Sequence, residues 1–145
     1  MLKLNIMTVA QYAIVKQWAE HKTVCDNIAI DDWDVYWEYA KNEPNTTIYA
    51  ILDDDILVGK LTVEKDGNNI NIDYIISPEL HGKGIGTTSL SHFTQNAEKI
   101  LGYKPTSINA YVEPEHLASV RCLEKSGFVH TGTDNDNCME FVFRP

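Results

Sequence analysis

The stretch Ile70-Asn71-Ile72-Asp73-Tyr74-Ile75-Ile76-Ser77-Pro78-Glu79-Leu80-His81-Gly82-Lys83-Gly84-Ile85-Gly86-Thr87-Thr88 decides how this chain folds. Its first half alternates. Ile70, Ile72, Tyr74 and Ile76 fall on one side, and Asn71, Asp73 and Ile75 on the other, which is the period of a β-strand. Pro78 lacks a ladder donor and restricts the residue before it, so the strand ends at Ser77-Pro78. Glycines follow at 82, 84 and 86. Leu90, Phe93, Ala97, Ile100 and Leu101 then recur at helical spacing up to Gly102. The unit is a strand, a glycine turn and a helix. A helix start presents backbone N–H groups without intrahelical partners, and glycines keep side chains out of their way. Such a turn suits the oxygens of a pyrophosphate-bearing ligand, with Lys83 adding a screened charge. It also serves as a plain turn and helix cap. It is not a P-loop, because Lys83 is not followed by Ser or Thr. The glycine interval is not that of the dinucleotide fingerprint either.

Working outward, Leu2 to Ile6 alternates as a short strand, and Thr8 caps a helix carrying Val9, Tyr12, Ala13, Val15 and Trp18. Ile28 to Ile30 lead into a helix start at Asp31-Asp32, with Trp33, Tyr36, Trp37 and Ala40 on one face. Thr46–Leu52 and Ile56–Lys65 read as a hairpin joined by Asp53-Asp54-Asp55, and Asp66-Gly67-Asn68-Asn69 makes the next turn. Beyond the glycine turn, Ser107–Val112 is a strand and Pro114 opens a helix ending at Gly127. Two strands follow, from Phe128-Val129 and over Met139–Phe143, joined by a polar turn over Asp134–Asn137. The order is β-α-α-β-β-β-α-β-α-β-β. The strand–helix–strand step requires a parallel pair and the hairpins add antiparallel ones. The expected fold is mixed α/β (α+β): a central, mostly antiparallel twisted sheet with flanking helices, as one domain over residues 1–145.

The 145 residues carry a formal charge of −9 and are 43% apolar. That supports one globular core and excludes a disordered or collagen-like chain. It also sets general nucleic-acid binding aside, since phosphates demand a cationic surface. The acid is concentrated. Residues 20–66 hold twelve acidic and four basic side chains, whereas residues 67–145 hold nine and six. Cys25, Cys122 and Cys138 have neither disulfide nor zinc spacing. His81, His92, His116 and His130 are dispersed, so no metal is expected. No run approaches the length of a membrane span. A cytoplasmic protein without membrane or nucleic-acid partners is the expectation.

The run Ile72–Gly86 resembles the acyl-CoA-binding motif of the GCN5-related N-acetyltransferase (GNAT) superfamily. That motif is Gln or Arg, two variable residues, Gly, one variable residue, then Gly or Ala, and it falls on His81, Gly82, Lys83, Gly84, Ile85 and Gly86. A second block of that family, a strand and then a helix ending in Glu-Lys-x-Gly-Phe, falls on Ile108–Val112 and Glu124-Lys125-Ser126-Gly127-Phe128. The resemblance covers nearly the whole chain. It implies acetyl-CoA as donor, its pyrophosphate on the N–H groups of residues 82–87, Thr87 included. It also implies that strands 70–76 and 107–112 splay, with the pantetheine arm bonding to backbone near Ile75 and Ile76. The pattern departs at three points. His81 replaces Gln or Arg. Leu123 stands where many members place a Tyr that donates to the departing thiolate. His116 replaces a common Asn. Thiolate stabilisation then falls to His116, a backbone donor or water.

Acetyl transfer needs a deprotonated amine, and a typical alkyl amine is mostly ammonium at pH 7, so a base must take its proton. Asp73, close to where the family often places an acid, is the first candidate and Glu64 the second. Ordinary solvent-facing carboxylates would look the same in sequence. Tyr111, on the other splayed strand, is a candidate to position the acceptor or to bond to the thioester, or is simple sheet packing. Trp33, Tyr36 and Trp37 are placed to line an acceptor pocket or to form a buried stripe. Asp31, Asp32, Asp34, Glu38 and Asp53–Asp55 would attract a cationic amine, or merely cap helices and turns. The leading expectation is transfer from acetyl-CoA to a primary amine of a small cationic acceptor such as a polyamine or aminoglycoside, by a possible homodimer. The alternatives are an acyl-CoA-binding sensor or scaffold without catalysis, favoured by Leu123, and a structural domain whose turn binds nothing.

Overall fold

A computed structural model of the chain describes residues 1–20 and 32–145. Cys25, the Ile28–Ile30 segment and Asp31 lie outside the described residues. Among the described residues seven strands form one sheet in the order β1-β2-β3-β4-β5-β7-β6. They are β1 (Leu2–Ile6), β2 (Thr46–Asp53), β3 (Ile56–Asp66), β4 (Asn69–Ile76), β5 (Ser107–Val112), β6 (Val129–Thr133) and β7 (Met139–Phe143). Among the described residues the helices are α1 (Val9–Trp18), α2 (Trp33–Asn42), α3 (Ile85–Leu101) and α4 (Leu117–Lys125), with a 3-10 turn at Pro78–Leu80. The expected element order is observed.

Local chemistry sets most of these boundaries. Thr8 and Gln11 form a reciprocal capping box on α1. The Asp32 carboxylate accepts from the N–H groups of Asp34 and Val35, capping α2. Asp53 belongs to β2, so the hairpin turn is Asp54-Asp55 alone, and both have positive φ, the form that matches strand twist. The last helix starts later than Pro114 suggests. His116 N–H bonds to the Glu113 carbonyl in a preceding turn, and α4 begins at Leu117.

The sheet carries two apolar layers. On one face Leu61, Val63, Ile70, Ile72 and Ile76 pack with Leu90 and Phe93 of α3 and Leu123 of α4. On the other, Ile48, Ala50, Leu52 and Ile75 pack with Tyr12, Val15 and Ala40 from α1 and α2. Strand alternation therefore sends Tyr74 toward α3 and α4, and Asp73 toward α1 and α2.

β4 and β5 are the parallel pair; the other strand pairings are antiparallel. Their register runs only from Asn69 opposite Ser107 to Ile72 opposite Ala110. Beyond it, β4 stays with β3 as far as Ile76 and β5 stays with β7 as far as Val112. Each strand keeps its antiparallel neighbour, so the sheet opens between them. Asp73 is the first β4 residue past the last pair. Gly59 permits the close approach on the β3 side: a Cβ there would sit 2.8 Å from the Ile75 carbonyl oxygen.

Candidate active site

The cleft below the glycine turn encloses about 570 Å³. Its walls come from the end of β4, the turn and the outward face of α4, where Ser119, Arg121, Cys122 and Lys125 line it with Tyr74. Gly82 and Gly84 have φ of 78° and 80°, and Gly84 is the N-cap of α3. A Cβ on either would meet nothing within 4 Å. Both glycines are therefore required by backbone conformation, and the space above them is open. The first hydrogen bond of α3 runs from Thr88 N–H to the Gly84 carbonyl. Among the described residues, the N–H groups of Ile85, Gly86 and Thr87 meet no acceptor, so they face the cleft mouth as donors. That donor set, with Arg121 and Lys125 nearby, fits an anionic phosphate group.

Gly86 has a different reason. A Cβ there would lie 3.0 Å from Cys122 Sγ, so this glycine sets how closely α3 approaches α4. His81 donates from Nε2 to the Ile76 carbonyl at 2.9 Å, which closes the turn back onto β4. Lys83 is exposed and does not line the cleft. Ile75 and Ile76 both border it.

Tyr74 brings a phenol into the same cleft. Its hydroxyl donates to the Ser119 carbonyl over a long 3.5 Å. Burial, then the neighbouring Cys122, push its pKa above the ordinary phenol range, so the hydroxyl stays protonated at neutral pH. Leu123 is 1% exposed in the core and offers no such group. His116 caps α4 without a side-chain cap bond, and its Nε2 lies 3.8 Å from the Glu113 carboxylate.

The opposite side of β4 is acidic and aromatic. Asp73 is 64% exposed at the point where the strands part. Lys60 reaches it from β3, with Nζ 3.6 Å from Asp73 Oδ1 and 3.0 Å from Thr62 Oγ1. The rings of Trp33 and Tyr36 lie over the same nitrogen, at 5.7 and 5.8 Å. Lys60 is wholly buried, and burial pulls its amine below the ordinary lysine range while Asp73 opposes that. Glu64 lies one step further along this face. Burial, Asp73 and Glu43 raise its pKa. Burial likewise raises Tyr36 and Tyr12, each also facing Asp73.

The structure thus brings together Asp73, Glu64, Trp33 and Tyr36. Trp37 packs against the Tyr12 ring at 4.7 Å, inside the α1–α2 layer. Asp34 is held by Lys16 at 3.1 Å on the surface. Tyr111 is half-exposed on β5 and donates its hydroxyl to Glu140 at 3.0 Å. Among the described residues no three His, Cys, Asp or Glu side chains converge as a metal site. Sequence reasoning passed over Lys60, Tyr74, Arg121 and Lys125. The spacing of Arg121 and Lys125, one helical turn apart, was the readable signal for a shared face on α4. Lys60 had none, since a lysine in a strand normally faces solvent.

The sequence matches the family model of the acetyltransferase (GNAT) domain over residues 5–129. No curated protein matches it significantly. Among solved structures, the aminoglycoside acetyltransferase AAC(6')-Ib in complex with coenzyme A and kanamycin is similar, with a TM-score of 0.83 and 20% identity. That match covers 99% of this chain and 95% of the other. A spermidine N-acetyltransferase from Vibrio cholerae in complex with CoA and spermine has a TM-score of 0.76 and 16% identity, covering 97% and 92%. A domain from Methanocaldococcus jannaschii has a TM-score of 0.81 and 19% identity, covering 100% and 99%.

Proposed function

Because this chain belongs to the GNAT acetyltransferase family, matched over residues 5–129, we propose that it moves the acetyl group of acetyl-CoA directly onto a primary amine of a small cationic acceptor. The observation that carries the acceptor reading is the exposed Asp73 carboxylate at the parting of β4 and β5, with Glu64 further along the same face. Carboxylates on one face favour an ammonium group. The aminoglycoside and spermidine acetyltransferases that share the fold are named for cationic amines, which supports the same class here.

In this reading the donor's phosphates sit on the N–H groups of Ile85, Gly86 and Thr87; of the wider run 82–87, the Lys83 N–H is taken by the Leu80 carbonyl. Ile75 and Ile76 lie along the pantetheine arm. Asp73 takes a proton from the acceptor ammonium, with Glu64 as the second carboxylate on that face. The amine attacks the thioester carbonyl and the carbon–sulfur bond breaks. The Tyr74 phenol protonates the departing sulfur from the other side of β4, in place of the donor that Leu123 does not supply. The proton released by the amine restores the phenol through solvent. Catalysis is thus divided between the two faces of one strand. We assign the chain as a single domain over residues 1–145, working in the cytoplasm. Among the described residues no helix is long and apolar enough to cross a membrane.

A screen of amines, following free CoA release, tests the proposal. Turnover on polyamines or aminoglycosides is the expected result. Saturable acetyl-CoA binding with no turnover on any amine would replace the enzyme with a CoA-binding sensor.

A further inference from the structure

Among the described residues Lys60 is the only charged side chain without solvent exposure. Its surroundings are those of a bound alkylammonium: one carboxylate at 3.6 Å, one hydroxyl at 3.0 Å and two aromatic faces within 5.8 Å. The chain has placed a cation of its own where the charge of a simple amine would otherwise settle. Asp73 is therefore already compensated. Glu64, on the same face, has no basic partner within ion-pair distance among the described residues, and the Glu43 carboxylate adds to its field.

We propose that Lys60 selects the acceptor, by cancelling the pull of Asp73 on a lone ammonium group and leaving Glu64 to hold a second positive charge. The inference rests on the amine-acceptor reading above. Thr62 pairs with Asp73 across the β3–β4 ladder. Glu64 lies two residues beyond Thr62, about 7 Å along the strand. The site therefore takes linear diamines or polyamine segments, with the reacting nitrogen at Asp73 and a second nitrogen about one such step away at Glu64. Monoamines are poor ligands because their only charge meets a neutralised pair.

The test is calorimetry of n-butylamine and 1,4-diaminobutane with the CoA-saturated protein, at low salt because surface charge is screened. The wild type should bind the diamine at least tenfold more tightly. Lys60→Met keeps the side-chain length and removes the charge. A unit charge removed at about 6 Å, in an intermediate dielectric, alters cation affinity on the order of tenfold. The monoamine should gain that factor and the diamine less, so the preference narrows. Lys60→Arg keeps the charge and should keep the preference. CoA affinity serves as the fold control, because the cleft lies on the other face of β4. Unchanged monoamine affinity in a Lys60→Met protein that binds CoA normally overturns the proposal. Should that variant not fold, Glu64→Gln decides: it should abolish the diamine preference, and a preserved preference overturns the proposal equally. If neither amine binds the wild type and no amine is acetylated, the acceptor reading itself fails.

Discussion

Replacing Gly86 by alanine would put a methyl group 3.0 Å from Cys122 Sγ and 3.7 Å from Ile76 Cγ1. The first distance is below the roughly 3.5–4.0 Å at which non-bonded heavy atoms attract. Gly86 is not among the positive-φ residues, so the backbone accepts alanine and the contact alone decides. Overpacking of this kind costs about 1–3 kcal/mol. Alanine recovers roughly 0.5–1 kcal/mol of backbone entropy in a helix. The net loss should be about 1–2 kcal/mol, read as a lower urea midpoint with unchanged slope. Cys122→Ala alone removes one partly buried heavy atom and should cost about 1 kcal/mol or less. In the double variant the new methyl takes the space the sulfur left. Stability should return to within about 0.5 kcal/mol of wild type, a coupling well above the ~0.3–0.5 kcal/mol scatter of independent sites. Calorimetry with acetyl-CoA on the same four proteins adds a functional arm. Gly86→Ala should weaken binding by tilting the donor groups of Ile85, Gly86 and Thr87, and the double variant should restore it. Additive stabilities would refute the packing role. Restored stability with binding still weak would mean that Gly86 serves phosphate access directly.

Asp73→Asn should reduce turnover by about 10²- to 10⁴-fold, the usual worth of a general base, while acetyl-CoA affinity stays nearly intact. Turnover at the wild-type level would remove Asp73 from proton transfer. Tyr74→Phe should lower kcat on the order of 10²-fold. It should leave stability within about 1 kcal/mol, since the hydroxyl makes only a 3.5 Å bond to Ser119; an unaltered kcat would exclude the phenol as sulfur donor. Tyr12, Tyr36 and Tyr74 have pKa values raised mainly by their loss of solvent. The native state then binds more protons than the unfolded state above the ordinary tyrosine pKa. Their contribution is complete below about pH 10 and is lost as pH rises further. Urea midpoints should fall between pH 9 and 11, and Tyr74→Phe should reduce that fall; a flat profile over that range would contradict it.

How much of this could be read from the chain varies by residue. The turn at Gly82–Gly84 was legible, because positive φ and helix capping are properties of a few consecutive residues. So was the alternation that puts Asp73 opposite Tyr74 in direction, since strand periodicity is local. The start of α4 was misplaced at Pro114, because the chain spends one more turn, from Glu113 to His116, before the helix begins. Gly86 was read with the other two glycines as a phosphate-access residue. Its packing reason lies 36 residues away, at Cys122, where no local pattern points.

Hydrophobic period, caps and turn residues are near-neighbour effects, and by themselves they determined the element order, the glycine turn and the family resemblance. What the tertiary structure decided is which side chains meet once β3, β4, α2 and α4 are stacked. Lys60 became an internal cation only because Trp33 and Tyr36 fold over it and Asp73 stands beside it. Tyr74 became the phenol of the cleft only because α4 packs along that face of β4. Burial and charge pairing arise from contacts between segments far apart in the chain. No window of sequence contains both partners, so the face of β4 that carries Asp73 took its character from the fold.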